Sequence, residues 1–122
     1  MKKNILVIDD IQETREFLRF ILEDAGYKIT EAEDGTEGLK KAQREPFDLI
    51  ITDLAMPGMD GYSLVEKLRG SRPVGETSIV VSSAHGKLRE MFESDEKLGI
   101  QGFLEKPFMA EELIALVGKL LK

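Results

Sequence analysis

The sequence predicts a single α/β domain over residues 1–122, a parallel sheet covered by helices on both faces. Five short apolar runs alternate with five segments whose apolar residues recur at helical spacing. Three of the runs, in "NILVID", "DLIITD" and "SIVVSS", are nearly continuous in apolar residues, as strands buried on both faces should be. A chain of 122 residues, 42% hydrophobic and 33% charged, is long enough for one core and too apolar for a disordered segment.

The elements follow in order. "NILVID" opens as a strand, and in the helical segment "TREFLRFILEDAG" Phe17, Leu18, Ile21, Leu22 and Ala25 share one face. Gly26 sits where a helix C-terminus favours glycine. The second run, "KITEA", is followed by the helical "GTEGLKKAQR"; the third, "DLIITD", by "GYSLVEKLRG"; the fourth, "SIVVSS", by "GKLREMFESDEKLG". The fifth run, "GFLEK", precedes the last helical segment, "MAEELIALVGKLL". Proline marks "REPF" and "GSRPVGE" as loops, and no repeat or linker interrupts the series. Strands separated by helices require right-handed crossovers, hence parallel pairing.

Composition excludes several functions. The net charge of −6 argues against direct capture of nucleic acid or an anionic membrane, which needs a basic face. Without cysteine there is no disulfide, thiol catalysis or zinc–thiolate site. The start "MKKNILVIDD" reaches two aspartates too soon for a signal peptide, and no apolar run approaches a membrane span. A cytoplasmic protein without membrane insertion is expected.

In an open parallel sheet, ligands bind beyond the carboxyl ends of the strands. There the first strand ends in Asp9 and Asp10, the third in Asp53, the fourth in Ser82 and Ser83, and the fifth in Lys106 and Pro107. Two carboxylates about 4 Å apart repel by roughly 4 kcal/mol at an effective dielectric of 20. A shared proton, a bound cation or the Lys106 ammonium could offset that repulsion. An all-oxygen cluster with room for water suits Mg²⁺. Singly, each residue has a commoner explanation: helix caps for the aspartates, a plain turn for Lys-Pro, a satisfied hydroxyl for serine. Their joint placement at separate strand ends is what points to a site.

These residues, in "ILVIDD", "DLIITDLAMPGMDG", "VVSSA" and "GFLEKPF", together resemble the receiver domain of response regulators in two-component signalling, over essentially the whole chain. The resemblance implies a flavodoxin-like (βα)5 fold with strand order 2-1-3-4-5, an arrangement for which a receiver protein is a known example. It implies that Asp53 accepts a phosphoryl group, and that Asp9, Asp10, Asp53 and the Ala55 backbone carbonyl hold Mg²⁺. Ser83 and Lys106 would contact the phosphoryl group, Phe103 would change rotamer on activation, and Pro107 would follow a cis peptide bond. The donor would be a phosphohistidine on a sensor histidine kinase or phosphotransfer protein. The response would change the surface of the fourth helix, fifth strand and fifth helix, controlling a downstream effector or a fused output domain. Such a protein catalyses only its own phosphotransfer and dephosphorylation. Starting at methionine and ending after the last helix, the chain is expected to be free-standing, the alternative being a receiver cut from a longer hybrid kinase or transcription factor.

Some positions depart from the pattern. Ala55 and His85 stand where, in that family, side chains tune phosphate lifetime; Ala55 cannot orient an attacking water, whereas His85 could do so when neutral, could contact the phosphoryl group when protonated, or could be simply a solvated loop residue. Met109 falls where a capping residue usually begins the last helix. Phe20, Ile114 and Leu121 are candidate interface residues. The rival readings are less well served. An aspartate-nucleophile phosphohydrolase of the haloacid-dehalogenase type wants a second aspartate at the position of Ala55. A flavin or nucleotide module wants a phosphate loop where "DDIQETR" is acidic. A pseudo-receiver that only binds proteins usually lacks part of the acid cluster, which is complete here.

Overall fold

The computed structural model describes residues 2–56, 58–71, 74–75, 77–84, 90 and 98–121. Strands β1 (Asn4–Ile8), β2 (Lys28–Ala32), β3 (Leu49–Asp53), β4 (Ser78–Ser83) and β5 (Gly102–Glu105) form one sheet in the order β2-β1-β3-β4-β5. Every neighbouring pair is parallel. Helices α1 (Gln12–Asp24), α2 (Gly35–Arg44), α3 (Gly61–Arg69) and α4 (Ala110–Leu120) connect or follow the strands. The architecture is thus the expected one. The fourth segment of helical pattern, "GKLREMFESDEKLG", lies outside the described residues except for Glu90, which is helical, and for Leu98 and Gly99.

Side-chain alternation divides the core into two layers. Odd-numbered β1 residues Ile5 and Val7 join Leu49, Ile51, Val80 and Leu104 against Leu18 and Leu22 of α1 and Leu113 and Val117 of α4. Even-numbered Leu6 and Ile8 join Ile50, Ile79 and Val81 against Ala42 of α2 and Leu64, Val65 and Leu68 of α3. A strand sandwiched in this way must be apolar at consecutive positions, which explains why Ile5, Leu6 and Val7 are all fully buried.

The helices begin in different ways. Asp34 caps α2 by accepting from the Glu37 N–H at 2.7 Å, and Asp60 caps α3 by accepting from the Ser63 N–H at 2.8 Å. The N-cap of α1 is Ile11, so neither Asp9 nor Asp10 is spent on that role. Met109 precedes α4 without a side-chain cap, and the Glu112 carboxylate reaches back to its N–H at 3.4 Å. Among the described residues no helix is long and apolar enough to cross a membrane.

The inner face of α1 is narrower than its periodicity predicts. Leu18 and Leu22 are buried, but Phe17 is 42% exposed and Ala25 is exposed. α1 meets α4 at the edge of the layer, and the Phe17 ring rests beside the Phe108 ring, with centroids 6.2 Å apart. Leu121 is partly buried against the same layer, while Phe20 and Ile114 are exposed.

Candidate functional site

Parallel strands bring their carboxyl ends to one edge, and the register aligns those ends. Ile8 pairs with Thr52, Asp53 with Ser82, and Ser83 with Glu105, so the residues that follow converge. The backbone carries the alignment past the strands: the Leu54 N–H donates to the Ser82 carbonyl at 3.0 Å, and the Lys106 N–H to the Ser83 carbonyl at 2.9 Å.

Three carboxylates meet there. Asp9, Asp10 and Asp53 each offer an oxygen, and these atoms lie within 4.8 Å of one another. Asp9 and Asp53 are buried, at 1% and 5% exposure, whereas Asp10 is exposed. Lys106 extends its ammonium between the buried pair, 3.2 Å from Asp9 Oδ2 and 3.3 Å from Asp53 Oδ2. Among the described residues, one positive charge thus faces two buried carboxyl groups.

Each of the two buried acids is also held by main chain. The Ile11 N–H donates to Asp9 Oδ1 at 2.9 Å, and the Asp9 N–H to the Ala32 carbonyl at 3.1 Å. The Ala55 N–H approaches Asp53 Oδ1 at 3.4 Å. Behind Asp53, the Gly61 N–H donates to the Leu54 carbonyl at 2.9 Å. A Cβ at Gly61 would stand 2.5 Å from Leu54 Cα and 2.7 Å from the Asp53 carbonyl oxygen. Glycine is therefore needed there for the start of α3 to approach the acid-bearing turn this closely.

Burial pushes the Asp53 carboxyl above its ordinary range. Lys106 opposes that shift, Asp9 adds to it, and the Ala55 N–H opposes it. The group is a buried carboxylate short of positive charge. Hard oxygen donors in this number fit a small divalent cation such as Mg²⁺, which takes one or two carboxylates and keeps water for its remaining positions.

Ser83 and Phe103 lie on the α2/α3 side of the sheet. Phe103 pairs with Val81 and packs partly buried against that layer, and Ser83 lies two residues beyond Val81 on the same face, buried. The peptide bond between Lys106 and Pro107 is cis, as the resemblance implied. A cleft of about 270 Å³ lined by Thr14, Phe17, Lys106, Pro107 and Phe108 adjoins the site. His85 lies outside the described residues.

Sequence reasoning missed Arg15. Its guanidinium reaches the edge from α1, donating to the Asp9 carbonyl at 2.7 Å and to Glu31 Oε1 at 3.2 Å. The available signal was its place on the inward stripe with Leu18 and Leu22, where a charged residue needs a partner.

The family model for the response regulator receiver domain matches residues 5–118. An uncharacterized 14.6 kDa protein of Leptolyngbya boryana is 39% identical over 114 residues, covering 93% of this chain and 86% of its own length. The transcriptional regulatory protein ResD of Bacillus subtilis is 36% identical over 118 residues, covering 97% of this chain but 48% of ResD. Among solved structures, the response regulator protein TrrA of Thermotoga maritima, in complex with Mg²⁺ and BeF, superposes with a TM-score of 0.86 at 35% identity. That match covers 99% of this chain and 100% of TrrA.

Proposed function

The chain belongs to the response regulator receiver domain family, and from that premise we propose that it is a switch set by phosphorylation of Asp53. The observation that carries this reading is the Lys106 ammonium bridging Asp9 and Asp53 beside the third carboxylate of Asp10. A structural ion pair would need one acid; three acids gathered around one lysine leave negative charge for a further cation to neutralise.

The donor is the phosphohistidine of a sensor histidine kinase or phosphotransfer protein, met in the cytoplasm. An Asp53 oxygen attacks phosphorus, the P–N bond breaks, and the electron pair leaves with the imidazole. Fixed placement of the nucleophile on β3 supplies much of the rate. Asp9, Asp10 and Asp53, with the Ala55 carbonyl, would hold Mg²⁺, which when bound neutralises charge on the transferring phosphoryl group. The complex of TrrA with Mg²⁺ and BeF supports that assignment by likeness. Lys106 stands within reach of the same oxygens. The chain acts on no external substrate; it promotes only its own phosphotransfer and dephosphorylation, the latter tuned at Ala55 and His85.

A phosphorylated Asp53 carries nearly two negative charges, on the phosphoryl oxygens, in place of the carboxylate's one. Its oxygens draw the Ser83 hydroxyl inward, and Phe103 turns into the space released, altering the face made by the fourth helical segment, β5 and α4. Close packing makes the change a choice between two states. That face meets an effector protein or, as the greater length of ResD suggests, an attached output domain.

Loading with phosphoramidate and Mg²⁺ while following the Phe103 amide by NMR tests the switch. The resonance is expected to move in wild type and to stay in place in Ser83→Ala that has been phosphorylated to the same extent. A Phe103 signal unmoved in loaded wild type, or moved equally in the variant, would overturn this route.

A further inference from the structure

Arg15 belongs to none of the roles assigned so far. Its side chain is 12% exposed, on the inward stripe of α1, where an apolar residue would be ordinary. Glu31, near the end of β2, seats it: Oε1 accepts from Arg15 Nε at 3.2 Å, and Oε2 accepts from Arg19 Nη1. Lys41 Nζ donates to the Glu31 main-chain carbonyl, fixing that residue from the α2 side. The ion pair with Glu31 accounts for Nε. The second contact, from Nη1 to the Asp9 carbonyl at 2.7 Å, is directed at the acid pair.

That carbonyl matters because a peptide unit is planar. The C=O of Asp9 and the N–Cα bond of Asp10 lie in one plane, so fixing the first fixes the direction in which Asp10 leaves the chain. A short hydrogen bond from a guanidinium is a strong constraint. The other two acids have their own restraints: Asp9 through the Ile11 N–H and Lys106, Asp53 through Lys106 and the Ala55 N–H. Asp10 is the exposed member of the trio, and among the described residues its carboxylate has no hydrogen-bond or ion-pair partner. Its orientation therefore rests on its backbone.

Building on the reading of this site as a cation-dependent phosphoryl acceptor, we propose that Arg15, seated by Glu31, is a positioning residue that orients Asp10 for a divalent cation through the Asp9 carbonyl. It touches neither the cation nor the phosphoryl group.

The test is a titration of the full chain with Mn²⁺, the free ion being read by electron paramagnetic resonance. Arg15→Met keeps the apolar stem and loses both donors, and its affinity should fall about tenfold, the scale typical of losing a group that orients a metal ligand. Arg15→Lys, retaining a single donor site, should recover part of the loss. In phosphorylation by phosphoramidate, the Mg²⁺ requirement of Arg15→Met should rise while its rate at saturating Mg²⁺ stays within about twofold of wild type. Glu31→Ala removes the seat but keeps Arg15, and should weaken Mn²⁺ binding in the same direction; it decides the matter if Arg15→Met does not fold. Wild-type affinity in Arg15→Met, or in Glu31→Ala where that variant decides, overturns the inference while the reading of the site stands. So does a reduced saturated rate with unchanged affinity. Failure of wild type to bind Mn²⁺ removes the reading of the site and the inference with it.

Discussion

Asp53 is buried beside Asp9, and among the described residues one lysine, Lys106, faces the pair. Its carboxyl is raised above the ordinary range chiefly by burial, so the native state holds its proton to a higher pH than the unfolded chain does. The sign follows from linkage: Asp53's contribution to stability is fully present below the unfolded pKa and is lost as pH rises through the native one. Asp53→Asn carries no such proton. In EDTA, the urea midpoint of Asp53→Asn relative to wild type should therefore climb as pH rises from about 3.5 to about 7, leaving the variant the more stable protein at neutrality. A difference that is flat or falls over that range would contradict the burial argument. The same residue scale shows what a sequence conveys. Asp9, Asp10, Asp53, Ser83 and Lys106 were legible because each stands at the carboxyl end of a strand, four strands in all. Arg15 was not, because its partner at the site is a main-chain carbonyl whose position exists only after β1 and α1 have packed.

Among the elements, α3 is tied to its surroundings by its last residue. Arg69 donates to the carbonyls of Leu98, Gly75, Thr77 and Gly99 and to Gln101 Oε1 at 2.6–3.1 Å. Gln101 Oε1 in turn accepts from the Ile79 N–H at 2.7 Å. One guanidinium thus joins the end of α3, the approach to β4 and the approach to β5. Burial lowers its pKa, yet arginine stays charged throughout the ordinary pH range. Hydrogen bonds to a charged donor contribute about 1.5–3 kcal/mol each, and water will reach some of the freed carbonyls. Arg69→Ala should therefore lose about 2–4 kcal/mol in urea denaturation, with phosphorylation of Asp53 retained below the transition. A loss smaller than about 0.5 kcal/mol would show that solvent replaces the guanidinium without cost. The sequence places this arginine at the end of a helix and conveys nothing of its acceptors, which come from two separate segments. Phe17 teaches a related lesson: periodicity locates the centre of an inner face, as Leu18 and Leu22 show, but its edge is set by the neighbouring helix.

For the molecule as a whole, alternation of apolar runs with helical segments sufficed for a parallel α/β domain. It did not order the strands; the order β2-β1-β3-β4-β5 was implied by resemblance and is the one observed. That order is what makes the site. With β1 beside β3, Asp9 and Asp10 meet Asp53, and with β5 beyond β4, Lys106 reaches across Ser82 and Ser83 to both buried acids. The rest of the sheet serves to hold those ends in register, with residues such as Ile5, Leu6, Val7, Leu49 and Ile79 wholly removed from water. On the proposed reading, this arrangement makes Asp53 a cation-dependent phosphoryl acceptor. Intact mass of the protein after incubation with phosphoramidate tests it most directly, in Mg²⁺ and in EDTA, for wild type and Asp53→Asn. A gain of one phosphoryl group is expected in wild type with Mg²⁺, and none in EDTA or in the variant. A folded wild type that gains nothing in Mg²⁺, or a variant that gains as much as wild type, would contradict it.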